Sequence, residues 1–408
     1  MNDDRARLTA LGPVQRLVLV AFVEDLAVAM VGLAVQFRGN ELGASPLVLG
    51  LLGTVSSLAY TIGCLFTGRL SDRFGRRLLT AGSCLICAGA WLVMSRADSP
   101  LQLLAIFPLS GAAVSMFWPP LQAWLSEVTV GGRQRLVENI GAFNVSWTIG
   151  LMLGPPLAGF TWAFGSATPF AIATLAVLGV LVVLQTVPTR VDGGGEDVPE
   201  DDIVRPDGEV AQRFLYLAWI ANFASWFGRG MNMVVFPKLG SDLGMSESVI
   251  GVVVASLLAG QLVMFGFLRT SVAWRYRLWP LTLSLAAGAA GYILAWVSHS
   301  PAAFAASFAL SGLGAGVTYV ASLYYSLEGG GDSRGGRTGI HEAVLGSGLF
   351  IGPLMGGVVG ETLGLRASYP AVTVVFVATM AFMHAVSRRM RRVEQIAAAR
   401  HRAEVMGE

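Results

Sequence analysis

Twelve stretches of this chain are apolar and long enough to cross a lipid bilayer. The hydrocarbon core of a membrane is about 30 Å thick, so a helix needs about 20 mostly apolar residues to span it. Hydrocarbon offers the backbone no hydrogen-bond partner, and the stretches lack the alternating pattern of barrel strands, so each is expected to be a helix. We predict an all-α membrane protein with transmembrane helices at residues 15–37, 46–67, 78–95, 101–125, 139–163, 167–187, 214–237, 246–268, 278–298, 302–327, 338–362 and 367–387.

The composition argues against an ordinary soluble protein or an enzyme. Hydrophobic residues make up 54% of the chain and charged residues 13%, whereas a soluble domain has roughly 45–50% and 25%. The three cysteines lie inside apolar stretches, so we expect neither a disulfide framework nor a metal site. The sequence shows no nucleotide-binding loop and no nucleophile with a plausible base. We therefore predict no catalytic residues and no cofactor.

The basic residues predict how the chain lies in the membrane. Of 28 lysines and arginines, 23 fall in the ends and connections of one face, four in those of the other, and one, Arg229, inside a stretch. Positively charged connections remain in the cytoplasm, so both termini are predicted to be cytoplasmic. Because 27 of the 28 are arginine, which is typical of a GC-rich bacterial genome, we place the protein in a bacterial inner membrane.

The chain carries an internal duplication. A pattern of glycine and proline recurs 198 residues later, since Gly141, Gly150, Gly154, Pro155 and Gly159 are matched by Gly339, Gly348, Gly352, Pro353 and Gly357. Repeated membrane halves are typical of secondary transporters. The first and seventh stretches align at the same offset, which pairs Glu24 with Asn222. After these stretches the offset becomes 201, with Gly43 matching Gly244 and Gly50 matching Gly251, which indicates a three-residue insertion in an external loop.

Four segments follow from this duplication. We predict an N-terminal six-helix bundle at residues 1–187, a cytoplasmic linker at 188–213, a C-terminal six-helix bundle at 214–387 and a cytoplasmic tail at 388–408. The linker carries eight acidic residues and three consecutive glycines. It is interpreted as either a solvated tether or a regulatory contact.

A charged motif stands between the second and third stretches. Its sequence, Gly68-Arg69-Leu70-Ser71-Asp72-Arg73-Phe74-Gly75-Arg76-Arg77, resembles the Gly-x-Leu-Ser/Ala-Asp-Arg-x-Gly-Arg-Arg signature of the major facilitator superfamily of transporters. The resemblance implies a fold of two pseudo-symmetric six-helix bundles. It also implies a cytoplasmic gate formed by Gly68, Asp72, Arg73, Gly75 and Arg76, with Glu127 as the partner of Arg76. The alternative is a simple positive anchor, and the corresponding place in the second half, residues 266–277, lacks the acid.

The duplicated glycine pattern resembles a signature of drug and metabolite exporters in the same superfamily. The fifth stretch departs from it once, at Ala158, and the eleventh fits fully. Regularly spaced glycines admit a neighbouring helix closely, so helix packing without bearing on transport direction is an equal alternative. A further exporter signature in the fourth stretch is absent, because Phe107 stands where its arginine would be. That absence leaves the coupling ion open.

Three charged residues lie within the predicted crossings, where a charge is costly and invites a functional hypothesis. Glu24 and Asp25 fall in the first stretch and Arg229 in the seventh. The resemblance implies that the first, fourth, seventh and tenth helices line a central cavity. Asn222, Trp226 and Arg229 share one helix face, and the pairing of Glu24 with Asn222 makes Glu24 the preferred cavity residue. We predict that Glu24 or Asp25 exchanges protons, with an internal ion pair to Arg229 as the alternative.

Other polar and aromatic residues complete the predicted cavity. Trp118 and Gln122 in the fourth stretch and Tyr319 in the tenth are candidate substrate contacts, with helix packing as the alternative. His341 and Glu342 begin the eleventh stretch and suggest either a proton relay or a gate.

The sequence thus favours proton-coupled export of a small organic compound by alternating access. The alternatives are uptake by a symporter or facilitator, and a non-transporting receptor or scaffold on the same fold. The expected partners are a small-molecule substrate, protons and the lipid bilayer, with no nucleic acid, and the resemblance implies a monomer.

Overall fold

The computed structural model describes residues 11–191, 208–328 and 333–406, so most of the acidic linker lies outside the described residues. The described residues form helices and no strand, which confirms the predicted fold class. The helices are α1 (Pro13–Glu41), α2 (Pro46–Phe74), α3 (Arg76–Met94), α4 (Pro100–Ser115), α5 (Trp118–Val128), α6 (Gly132–Trp162), α7 (Thr168–Thr186), α8 (Gly208–Asp242), α9 (Glu247–Thr270), α10 (Leu278–Val297), α11 (Pro301–Glu328), α12 (Ser333–Leu363) and α13 (Ser368–Met406), with a 3₁₀ turn at Leu365–Ala367.

The thirteen α-helices of the described residues give twelve crossings, because α4 and α5 together form the fourth. The helix breaks at Met116 and Phe117, just before Pro119 and Pro120. Proline has no backbone N–H and clashes with the preceding turn, so two in succession interrupt the hydrogen-bond ladder. From α6 onward, helix labels therefore run one ahead of the crossings.

Two crossings are less apolar than the rest. Ten crossings in the described residues are long and apolar enough to span a membrane by hydropathy alone, and the other two are α6 and α8. Both are long enough, at 31 and 35 residues, but they carry polar side chains such as Asn144, Trp147, Asn222 and Arg229. These are the helices from which much of the candidate site is built.

Two helix boundaries lie away from the predicted segment limits. Helix α8 begins at Gly208, inside the expected linker, and α13 continues to Met406, through the expected tail. The division of the chain into the four predicted segments stays a prediction.

Packing within the halves corrects the register of the repeat. Gly154 of α6 packs on the backbone of Leu26 in α1, and its repeat partner Gly352 of α12 packs on the backbone of Phe227 in α8. Leu26 and Phe227 differ by 201 positions. The offset of 201 therefore already holds in the first crossing of each half.

This register pairs Glu24 with Ser225, and the expected pairing of Glu24 with Asn222 is wrong. The offset is still 201 in the fourth crossing, because Gly111 packs on the Ser56 carbonyl as Gly312 packs on that of Leu257. The change to 198 falls between α5 and α6 in the first half and between α11 and α12 in the second. The expected insertion in the first loop does not exist.

The halves meet at the end of the molecule that carries Gly43, Gly165, Gly244 and Gly364, which we call the arginine-poor end. Asn40 Nδ2 donates to Ser241 Oγ at 3.0 Å, and these residues also differ by 201 positions. The Leu47 backbone N–H donates to Glu361 at 3.1 Å, and the Ser248 hydroxyl donates to the Gly159 carbonyl at 3.2 Å.

Two close contacts between helices of opposite halves keep this end closed. A Cβ added to Gly251 of α9 would lie 2.3 Å from the Pro155 carbonyl oxygen of α6. The repeat-related contact joins α2 and α12, where a Cβ on Gly50 would lie 2.6 Å from the Pro353 carbonyl oxygen. Only glycine permits backbones to approach this closely.

Candidate functional site

The two acids of α1 face different surroundings. Glu24 shares its helix face with Leu17, Val20 and Val31, all at most 1% exposed, and is itself 0% exposed. Its carboxylate interacts electrostatically with the thiol of Cys87 in α3. Both carboxylate oxygens are buried without a hydrogen-bond partner. Glu24 therefore points into the core of the first half, away from the second half.

Asp25 faces the junction between the halves. It shares a stripe with Val18, Phe22 and Gly32, which are only half-buried, and a Cβ on Gly32 would meet no atom within 4 Å. Its carboxylate interacts electrostatically with Arg229 of the second half. The geometry thus favours Asp25, where the sequence argument preferred Glu24.

Arg229 lies in the middle of α8 and is 8% exposed. Its guanidinium carbon stands 4.5 Å from the centroid of the Trp226 ring, a distance typical of a cation–π contact. Its Nη1 is buried without a hydrogen-bond partner. Besides Asp25, the guanidinium interacts electrostatically with Tyr292 and Tyr319.

A small void separates the halves beside Arg229. Its volume is about 30 Å³, and both halves line it: Ala29, Leu151, Pro155, Arg229, Asn232, Met233, Val254, Leu257 and Leu258. Asn232 is 3% exposed and its Oδ1 has no hydrogen-bond partner. Two polar groups with unused hydrogen-bonding capacity therefore border a space that is otherwise apolar.

Trp226, whose ring contacts Arg229, also belongs to an aromatic cluster. We define it as Trp147, Trp226, Phe265 and Tyr319. The Tyr319 ring centroid lies 6.2 Å from those of Trp147 and Trp226 and 5.5 Å from that of Phe265. Trp147 belongs to α6 of the first half, so the cluster joins the two halves at mid-membrane.

A buried histidine adjoins the cluster. The His341 ring lies 5.5 Å from that of Tyr319, and its Nδ1 is 2.7 Å from Ser322 Oγ. Its neighbour Glu342 is exposed, although it interacts electrostatically with Tyr60 and Cys64 of the opposite half. An exposed carboxylate this close to the other half lies on the wall of an open space between them.

Three predicted cavity residues lie outside the cluster. Trp118 makes edge contacts with Phe117 and Phe143 of its own half, at 5.6 and 5.8 Å. Gln122 is exposed, and Asn222 is fully buried with neither amide atom hydrogen-bonded. The structure does not bring these three to the void, and their roles stay predictions.

The charged motif lies at the opposite, arginine-rich end. Arg76 donates two hydrogen bonds to Glu127 Oε1, from Nε at 3.2 Å and from Nη2 at 3.0 Å. It also forms an ion pair with Asp72 at 2.5 Å and donates a hydrogen bond to Ser71 Oγ. Gly75 has φ 90°, a conformation that favours glycine. The expected pairing of Arg76 with Glu127 is present, but it joins helices of the same half.

The remaining motif residues have simple surroundings. The Asp72 side chain is 64% exposed, Arg73 lies over the Phe74 ring at 5.4 Å, and a Cβ on Gly68 would meet no atom within 4 Å. Contacts between the halves reach Trp147–Tyr319 and Thr61–Gly346. The space beyond them, toward the arginine-rich end, is where Glu342 is exposed.

The duplicated glycines serve packing both within and between the halves. Gly150 and Gly154 pack on α1, and Gly348 and Gly352 pack on α8. Gly159 meets the Glu247 backbone across the halves. Gly357 meets Pro46 in the same way, whereas a Cβ added to Gly141 would meet no atom within 4 Å, and Gly339 lies within α12.

Sequence reasoning missed Trp147, Phe265 and Asn232. For two of them a signal was present, because Trp147 and Asn232 stand in the two crossings of lowest hydropathy. Phe265 lies in the ordinary apolar helix α9, and nothing local distinguishes it. In the described residues, no group of three or more His, Cys, Asp or Glu is suited to a metal ion.

The fold is shared with known transporters. Over 93% of this chain and 97% of the other, it superposes on the crystal structure of a bacterial homologue of the human lysosomal transporter Spinster, with a TM-score of 0.74 and 17% identity.

Curated relatives match over shorter parts. Sugar efflux transporter A of Escherichia coli strain K12 is 26% identical over 57% of this chain and 60% of its own length. The 4-hydroxybenzoate transporter PcaK of Pseudomonas putida is 30% identical over 27% of this chain and 25% of its own. The chain thus spans at most about 60% of the length of these relatives.

The sequence model of the Major Facilitator Superfamily matches residues 17–211 and 218–405, nearly the whole chain. This match agrees with the twelve crossings, the two halves and the charged motif at the arginine-rich end. It places the chain in a family of multi-pass membrane transporters, which are not enzymes. The chain belongs to the Major Facilitator Superfamily.

Proposed function

We propose that this protein is a proton-coupled secondary transporter of a small organic compound in a bacterial inner membrane. The observation that carries the proposal is a pair of buried, opposite charges, one from each half: Asp25, and Arg229, which borders the mid-membrane void. A charge at this depth is costly and marks a substrate or ion pathway. A receptor or scaffold would have no need of it.

The proposal takes this structure as the state open toward the cytoplasm. The arginine-rich end is cytoplasmic by the distribution of basic residues. Close helix contacts at glycines and hydrogen bonds between the halves close the opposite end. At the cytoplasmic end, Asp72 is exposed and pairs within its own half. Alternating access requires the close contacts at the arginine-poor end to separate as the cytoplasmic end closes.

Asp25 is the coupling residue of this proposal. Proton uptake by its carboxyl group removes the charge that attracts Arg229, and so weakens the attraction between the halves at the void. Because Glu24 points into the first half alone, its protonation has no such direct effect on the junction. The proposal therefore assigns coupling to Asp25 and leaves Glu24 as a buried polar group.

Export in exchange for protons is the first candidate direction. It is supported by the name of the Escherichia coli relative, a sugar efflux transporter. Uptake with protons is the second candidate. It is favoured by the unpartnered Arg229 Nη1 beside Asp25, and by a relative named for 4-hydroxybenzoate, an aromatic carboxylate.

Proteoliposomes with a pH-sensitive dye in the lumen test the proposal. Gradients of lactose, phenylacetate and phenethylamine, which represent a sugar, an organic acid and an amine, are imposed in turn. At least one gradient should move protons faster than in protein-free liposomes, and Asp25→Asn should abolish that excess. Asp98→Asn, which changes an exposed acid at the arginine-poor end, should leave it intact. Proton movement that survives Asp25→Asn would refute the assignment, and binding without flux would indicate a receptor.

A further inference from the structure

We propose that the substrate is an organic acid whose carboxylate binds Arg229 in the mid-membrane void, with its aromatic or apolar body against the aromatic cluster. This inference rests on the proposed function, since it names the class of compound that the central site carries. It begins from the unused hydrogen-bonding capacity of Arg229.

Arg229 has a hydrogen-bond donor without a partner. The residue is 8% exposed, and Nη1 has no hydrogen-bond partner. An unsatisfied buried donor on a charged group costs more than a neutral one, so the arrangement is favourable only if something else occupies Nη1 during the transport cycle. Asp25 attracts the guanidinium electrostatically but makes no hydrogen bond to Nη1.

The volume and the lining of the void suit the carboxylate group of an organic acid. Its volume of about 30 Å³ has room for two or three water molecules, since each needs roughly 10–15 Å³ by this measure. A carboxylate group is of similar size and matches the planar guanidinium with two parallel hydrogen bonds. The apolar lining from Leu151, Val254 and Leu257 offers nothing to a larger polar head such as a sugar ring.

The body of the ligand must then lie outside the void. Trp226 connects the two regions, because its ring contacts the Arg229 guanidinium at 4.5 Å and lies 6.2 Å from Tyr319. Trp147 and Phe265 enclose Tyr319 from both halves. Aromatic rings present flat apolar faces with a preference for edge or offset contacts, which suits an aromatic or apolar chain attached to the carboxylate.

The charges around Asp25 determine whether the proton and the substrate cross in the same direction or in opposite directions. Asp25 faces Glu24 on its own helix, Arg229 on α8, Tyr60 on α2 and Tyr319 on α11. An ionised Asp25 repels an incoming carboxylate and competes for Arg229. Proton uptake by Asp25 removes both effects, so the acid and the proton bind together and cross in the same direction. An organic acid thus favours symport, the second candidate direction of the proposed function, over exchange.

Binding measurements on the purified full chain test this inference. Isothermal titration calorimetry compares phenylacetate with its neutral amide, phenylacetamide, and with phenethylamine. Phenylacetate should bind most tightly, and Arg229→Gln should weaken it about 10- to 100-fold, as expected for a lost charge-assisted hydrogen bond. Arg229→Lys should recover part of the loss. Arg213→Gln, which alters a buried arginine elsewhere in α8, should change phenylacetate binding less than threefold.

Asp25→Asn separates this inference from the proposed function. In the wild type, phenylacetate should bind more tightly as the pH falls, and in Asp25→Asn it should bind tightly at every pH. Equal binding of the amide, tighter binding of the amine, no effect of Arg229→Gln or no phenylacetate binding at all would each overturn the inference. If proton movement in proteoliposomes still depends on Asp25 in that event, the inference fails while the proposed function stands.

Discussion

Adding one methyl group at Gly251 should force the arginine-poor end open. In Gly251→Ala the new Cβ would lie 2.3 Å from the Pro155 carbonyl oxygen. An ordinary contact begins at 3.4 Å, so α9 and α6 must separate by about 1.1 Å (3.4 minus 2.3). Both neighbours are helix backbone and cannot rotate away. Overpacking of this kind costs about 1–3 kcal/mol, and the cost disappears once this end has opened.

A penalty of about 2 kcal/mol raises the population of the open state about 30-fold. To measure this population, Met233 at the void is replaced by cysteine in a background that lacks Cys64. Labelling of the new cysteine by a membrane-impermeant maleimide is then followed from the arginine-poor side. The labelling rate should rise by a similar factor in Gly251→Ala. Gly266→Ala, in the same helix but with no atom within 4 Å of its added Cβ, should not change it. Equal rates in the two variants would refute the reasoning.

Three further predictions concern local contacts. Glu127→Gln should lower the thermal stability of the arginine-rich end, and a double-mutant cycle with Arg76 should give a coupling of about 1 kcal/mol, since the Arg76 side chain is only 18% exposed; additive effects would contradict the pair. Ser322→Ala should cost about 1–3 kcal/mol in denaturant unfolding, because it strips a buried partner from His341, and an unchanged midpoint would show that the bond contributes nothing. Tyr325→Phe should cost about 1 kcal/mol by removing the acceptor of a backbone N–H at 2.7 Å in the 271–277 loop, and a thermal melt identical to wild type would contradict this.

The fold could be predicted from the sequence because the bilayer imposes it. Length, hydropathy and the one-sided arginines were sufficient to predict twelve crossings and two halves. The break between α4 and α5 was implicit in Pro119 and Pro120. The register of the repeat was not accessible, because the offset of 198 was measured in α6 and α12 and extended to α1 and α8. The packing of Gly154 on Leu26 and of Gly352 on Phe227 shows that those helices follow 201.

The candidate site was only partly accessible. Local sequence predicts that Glu24, Asp25 and Arg229 are costly in a membrane, but neighbouring positions on a helix differ by about 100°. Which acid faces the other half depends on how α1 is rotated, and that is set by glycine contacts more than a hundred residues away. The cluster around Tyr319 likewise joins helices that are distant in the sequence.

The central claim is that the two halves alternate between closure at one end and closure at the other. Spin labels on exposed positions measure both ends in the same protein: Phe164 and Leu243 at the arginine-poor end, and Arg73 and Thr270 at the arginine-rich end. Distances measured by pulsed electron–electron double resonance in nanodiscs should fall into two populations at each end. As conditions change from neutral to acidic pH or on addition of phenylacetate, one distance should lengthen while the other shortens. Fixed distances at both ends, or distances that lengthen together, would contradict the account.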